Sequence, residues 1–135
     1  MSTPLRASAR RASKKYTHDL KVRTHRLLAD EPEQTGGEDQ GPSPQELLAA
    51  SLASCTAITM EMYADRKGWD LTGLEVQCDY TPAERGYPTR FKLVMKLPDH
   101  LTADQTERLQ VIAAKCPVHR TLEGEVAFDE RIELV

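Results

Sequence analysis

From Tyr16 onward the chain alternates, with Tyr16, His18, Leu20 and Val22 set against Thr17, Asp19 and Lys21, the period-two pattern of a strand with one buried face. Arg23 to Ala29 predicts a second strand, and Asp30 to Gly41, rich in Glu, Gly and Asp, predicts a loop. Ser43, Pro44 and Glu46 then form a helix start. Ser43 is the N-cap, Pro44 takes the first helical position, and Glu46 is placed to return a hydrogen bond to the cap. The helix runs from Pro44 to about Lys67, where Gly68 supplies a left-handed stop, a rod of roughly 36 Å. Within it, Leu47 to Met60 carries no charge and is apolar nearly all round, so the segment is expected to be enclosed in a core. Leu48, Ser51, Leu52, Cys55, Thr59 and Met62 share one face of it.

Leu74, Val76, Cys78 and Tyr80 alternate with Glu75, Gln77 and Asp79, and Phe91, Leu93, Met95 and Leu97 with Lys92, Val94 and Lys96, which predicts two antiparallel strands joined through the Pro82 to Pro88 region. Thr102 and Gln105 make a second capping box. The helix it opens ends near Lys115, because Pro117 disfavours helical geometry at Cys116. Pro117 starts a short helix that Gly124 stops, and Val126, Phe128, Ile132 and Leu134 predict a final strand or short hairpin. Strands and helices in this order define an α+β chain with antiparallel sheets.

The 135 residues fit one ordinary domain, read as residues 16–135 behind a basic arm at 1–15. Arg6, Arg10, Arg11, Lys14 and Lys15 give the arm five positive charges and no negative one, so a net charge of -3 for the chain leaves -8 on the rest. That distribution speaks against a nucleic-acid footprint over the whole surface, and the arm reads as a solvated terminus or part of a first strand. The uncharged run falls short of the roughly twenty residues needed to cross a bilayer, so no membrane span is expected. Three cysteines, an odd number without a small-domain spacing pattern, suit a reducing, cytoplasmic compartment and point to reactive thiols rather than a disulfide framework.

The thiols differ in setting. Cys116 is the expected N-cap of the helix beginning at Pro117, so its sulfur can accept from the amides of Val118 or His119, which favours the thiolate. Cys55 lies more than two turns inside the long helix, where apolar surroundings raise its pKa, and it needs a cation or donor from elsewhere. Arg23, His25, Arg26 and Arg120 are the candidates. His119, three residues after Cys116, could act on that sulfur or pack locally. Cys78 reads as core packing. Cys116 and His119 are half a zinc pattern without the complementary pair, so no metal is expected, and no following Lys-Ser/Thr gives Gly36, Gly37 and Gly41 a phosphate role.

Asp30-Glu31-Pro32, Gly36-Gly37, Gly41-Pro42-Ser43-Pro44, the run from Glu46 to Thr56, Tyr63 to Trp69, and Cys116-Pro117-Val118-His119-Arg120-Thr121-Leu122 together resemble the OsmC-like family, in its branch with a Cys-Pro-Val-His second-cysteine motif. That family contains osmotically inducible protein C and the organic hydroperoxide resistance proteins. The resemblance implies an intertwined homodimer, with antiparallel sheets around a long central helix and the active site at the subunit interface. It also implies a cysteine-based peroxidase. By resemblance, Cys55 matches the peroxide-attacking cysteine and Cys116 its resolving partner, the sulfenic acid of one condensing with the other to a disulfide that an external dithiol, lipoyl or other, reduces.

The family's peroxidases carry a glutamate ten residues before the first cysteine, paired with an arginine. Here that position is Gln45, and Glu46, one helical step of about 100° further round, points elsewhere. Arg23 or Arg26 would stand for the arginine. No cofactor is implied, and small organic hydroperoxides are expected over H2O2 because apolar residues surround the thiol. The rival expectation is a noncatalytic dimer of the same fold that binds an apolar small molecule or senses thiol oxidation.

Overall fold

The structure, a computed structural model, describes residues 3–135; Met1 and Ser2, the first residues of the basic arm, lie outside the described residues. The chain forms two compact units, one ending at Ala49 and the other spanning Ala50–Val135.

In the first unit, β1 (Ser8–Arg11), β2 (His18–Val22) and β3 (His25–Ala29) form an antiparallel sheet in the order β1-β2-β3. Part of the basic arm is therefore a strand, with Arg10 opposite Asp19. The expected strand from Tyr16 starts two residues later. Tyr16 has φ 71°, and the Thr17 amide closes a turn onto the Lys14 carbonyl at 3.2 Å, so the ladder begins only at His18. Arg23, at φ 57°, turns the chain between β2 and β3. The predicted loop contains one short 3-10 turn, Glu33–Thr35.

That loop is organised around Asp30, whose side chain is buried. Its carboxylate accepts from the Thr17 hydroxyl at 2.8 Å, the Glu31 amide at 2.7 Å and the Gln40 amide at 3.2 Å. Two glycines are there because the backbone passes too close for a side chain. A Cβ at Gly37 would lie 1.9 Å from the Glu31 carbonyl oxygen, and one at Gly41 would lie 2.3 Å from that of Leu28.

Helix α1 (Pro44–Lys67) has the predicted bounds. Ser43 and Glu46 make the reciprocal cap, with Ser43 N donating to Glu46 Oε1 at 2.8 Å and Glu46 N to Ser43 Oγ at 3.2 Å. Beyond its other end Gly68 adopts φ 73°. The expectation of a fully enclosed helix is corrected: only one row, Leu52, Thr56, Met60 and Ala64 at spacing four, is buried. Ile58 and Met62 are exposed, and of the face shared by Leu48, Ser51, Leu52, Cys55, Thr59 and Met62 only Leu52 is fully covered. The expectation that no segment is long enough to span a bilayer also fails, because by length and composition alone this 24-residue helix is long and apolar enough. Its one buried row is packed within protein.

In the second unit, β4 (Glu75–Thr81) and β5 (Arg90–Lys96) pair antiparallel, with Cys78 opposite Leu93. Helix α2 (Ala103–Ala113) carries the predicted Thr102 and Gln105 capping box, and α3 (Pro117–Glu123) follows. Met60, Ala64, Leu71, Leu109 and Ala113 form the core, flanked by Tyr63, Trp69, Leu74, Met95, Leu97 and Leu101. Full burial of side chains such as Met60 and Leu109 is worth roughly 1.5–3 kcal/mol each.

The expected final strand is absent. Residues 125–135 join no ladder, and Phe128, Ile132 and Leu134 are 80%, 90% and 95% exposed. The alternation is present in the sequence, but a strand also needs a neighbouring edge to receive its amides and carbonyls.

Burial alone would raise the pKa of Asp30, but hydrogen bonds from Thr17, Gln40, Glu31 and Glu38 outweigh it and hold the carboxyl below the ordinary range. A depressed folded pKa contributes stability that is complete above the unfolded value of about 3.9 and is lost as pH falls through the folded value. In urea unfolding followed against pH, Asp30→Asn should lower the midpoint at pH 7 and flatten the acid limb between pH 4 and the folded pKa; an unchanged acid limb would contradict this role.

Candidate active site

Cys116 closes α2 and caps α3. Pro117 excludes it from helical geometry, and at φ -64°, ψ 142° it is extended, which turns its side chain back over the first turn of α3. There its sulfur accepts from the His119 amide at 3.3 Å. The Thr56 hydroxyl of α1 reaches the same sulfur at 3.9 Å, the long end of the range for sulfur. Cys116 and Thr56 are both 0% exposed.

Cys55 is half-buried on the neighbouring stripe of α1. Its sulfur is close enough to the Val118 amide, the Thr59 hydroxyl and Cys116 for each to bear on its ionisation. Of the two amides named in the sequence, that of His119 donates to Cys116 at 3.3 Å, while that of Val118 lies toward Cys55. Burial pushes the Cys55 thiol up, and Cys116 pushes it further through its hydrogen bond and charge, while the Val118 amide and Thr59 oppose the rise. The pair is therefore asymmetric. Cys55 is partly accessible and reluctant to ionise, and Cys116 is sealed, with the His119 amide and the Thr56 hydroxyl on its sulfur.

The other candidates are placed as follows. Gln45 and Glu46 are exposed in the first turn of α1, where Glu46 serves the Ser43 cap; its carboxyl is lowered by that bond. Arg23, His25 and Arg26 belong to the first unit and are exposed, Arg23 in a turn and the others on β3. His119 Nδ1 faces the Glu123 carboxylate one turn on. Arg120 is exposed, and its backbone N–H donates to the Cys116 carbonyl at 3.1 Å. Cys78 is half-buried on β4, its thiol pushed up by burial and then by Asp79. Among the described residues no group of three or more His, Cys, Asp and Glu could hold a metal ion. A groove of about 540 Å³ lined by Glu61, Asp65, Trp69 and Leu71 lies toward the end of α1 and includes none of these residues.

Thr56 was missed in the sequence as a site residue. The available signal was its place in the row Leu52, Thr56, Met60 and Ala64, where one hydroxyl interrupts an apolar stripe and, once buried, requires a partner.

The family model described as OsmC-like protein matches residues 37–131, well over half of the chain, and the chain belongs to that family. Solved structures share the fold. An OsmC-like protein from Mycoplasma pneumoniae is 18% identical with a TM-score of 0.75, covering 92% of this chain and 90% of that one. An organic hydroperoxide resistance protein from Elizabethkingia anophelis is 17% identical with a TM-score of 0.67, covering 92% and 91%. The organic hydroperoxide resistance protein OhrB of Bacillus subtilis is 19% identical with a TM-score of 0.61, covering 90% and 92%. No curated protein matches the chain.

With Cys78→Ser as background, peptide-level alkylation of Cys55 by iodoacetamide should show a pH midpoint above the usual cysteine range of about 8.5. Cys116→Ala should move that midpoint down, since it removes two influences that raise it. An upward movement would mean that Cys116 assists ionisation of Cys55 instead.

Proposed function

We propose that the protein is a thiol-dependent peroxidase that reduces organic hydroperoxides through Cys55 and Cys116. The observation that carries this reading is the meeting of two free sulfurs from α1 and α3, one of them accessible. Its family membership and the hydroperoxide resistance proteins that share its fold supply the reaction class. The Cys55 thiolate attacks the O–O bond and keeps one oxygen as a sulfenic acid, and the alkoxide leaves and takes a proton as the alcohol. The Cys116 thiolate then attacks the Cys55 sulfur and expels hydroxide, which takes up a proton as water, leaving a disulfide for an external dithiol to reduce. Donors at Thr59 and Val118, rather than a glutamate at the Gln45 position, support the first thiolate. Free thiols and an odd cysteine count suit a reducing, cytoplasmic setting for this cycle.

One equivalent of cumene hydroperoxide should consume two thiols in the reduced protein and yield a peptide crosslinking Cys55 to Cys116. Steady-state turnover with dihydrolipoamide should vanish in Cys55→Ser, fall steeply in Cys116→Ser and persist in Cys78→Ser. Turnover that survives Cys55→Ser would defeat the assignment. A disulfide that forms without turnover would instead favour a thiol-redox sensor or a binding protein.

The reading includes a homodimer. Ile58, Met62, Val111, Leu122 and the tail side chains are exposed apolar groups, surface that a second copy would have reason to cover. The tail, residues 125–135, carries four acidic residues and one basic, while the β1 region is basic, so two copies have complementary charges to offer each other. Sedimentation velocity at micromolar concentration should give a species of twice the chain mass; a stable monomer would refute the dimer.

A further inference from the structure

The two sulfurs are unequal in access and in how each holds negative charge, and that inequality bears on the reductive half of the cycle. Cys55 is half-buried, whereas Cys116 is completely buried, so a dithiol arriving from solvent meets Cys55 first. Exchange at a disulfide sends the electron pair onto the sulfur that is not attacked, and it runs faster when that sulfur's anion is better stabilised. Charge released on Cys116 is received by the His119 amide at 3.3 Å and the Thr56 hydroxyl at 3.9 Å. Charge released on Cys55 would meet burial and the neighbouring Cys116, both of which oppose it, and the net effect is unfavourable despite the Val118 amide and the Thr59 hydroxyl.

We infer that the reducing dithiol enters at Cys55 and that Cys116 is the leaving thiolate, with Thr56 as the positioning residue that receives the departing charge. The inference rests on the disulfide of the proposed cycle. The incoming thiolate bonds to the Cys55 sulfur, the Cys55 to Cys116 bond breaks, and its electron pair stays on Cys116. The second thiol of the reductant then attacks its own sulfur in the mixed disulfide, closing a cyclic disulfide. Cys55 is freed and takes the proton given up by that second thiol. The reductant is oxidised by two electrons, both protein sulfurs end reduced, and the proton lost when the incoming thiol ionised is available to Cys116. Thr56 is suited to this part because its buried hydroxyl is the only polar group in its row of α1, and the hydrogen bond it makes is to the Cys116 sulfur.

The experiment separates this inference from the peroxide chemistry by making the disulfide with diamide in full-length protein carrying Cys78→Ser. The oxidised protein is mixed with 2-mercaptoethanol, quenched in acid within seconds, labelled with N-ethylmaleimide in denaturant and mapped by peptide mass. The expected result is a mercaptoethanol adduct on Cys55 and the maleimide on Cys116. An adduct chiefly on Cys116, equal amounts on both, or no diamide disulfide overturns the inference, even if hydroperoxide is consumed normally. The expected pattern upholds it even if hydroperoxide is left untouched. Thr56→Val should slow thiol release from the oxidised protein by roughly threefold, a loss suited to one long hydrogen bond to a charged group. Thr56→Ser should restore the rate, with the melting temperatures of the reduced forms recorded alongside. A rate in Thr56→Val equal to wild type, or a loss that Thr56→Ser does not repair, removes Thr56 from the role.

Discussion

The turn at Cys116 and Pro117 is the constraint on which the site depends. Proline bars the helix from continuing through Cys116, so α2 stops and α3 restarts with the cysteine as its cap. That single interruption turns the sulfur back onto the His119 amide, leaves the Val118 amide free for Cys55, and brings the sulfur against Thr56 of α1. A continuous helix would give each of these amides to a carbonyl four residues earlier, and neither sulfur would have a backbone donor.

Much of this was legible in the chain. The bounds of α1, both capping boxes, the β4 and β5 pair and the cap role of Cys116 follow from short-range rules that the structure obeys. What could not be read is what depends on placement in space. Thr56 is adjacent to Cys55 in sequence but lies about 100° around the axis, and only the packing of α1 shows that it serves the other sulfur. The delayed start of β2 has a local cause, a left-handed Tyr16, for which the alternating pattern offered no warning. Membership of the family was carried by motifs between residues 30 and 122, most of them within the matched span.

The asymmetry of the thiols has a physical origin in how each element handles its backbone. Inside α1 every amide is already committed to a carbonyl, so Cys55 must borrow from a side chain four residues on and from another helix. At the start of α3 amides are unspent. One residue type in two backbone contexts therefore gives two chemically distinct groups, and the hydroxyls of Thr56 and Thr59 are divided between them, one each.

The end of the chain bears on solubility. Residues 125–135 combine alternating apolar side chains with unclaimed amides and carbonyls, the composition of a template for cross-β stacking. Glu125, Asp129, Glu130 and Glu133 are interleaved among those apolar groups, and in a parallel, in-register stack each would face its own copy at about 4.8 Å. Like charges at that spacing repel, so the same tail that exposes Phe128 and Ile132 also carries a guard against fibril growth from its own kind.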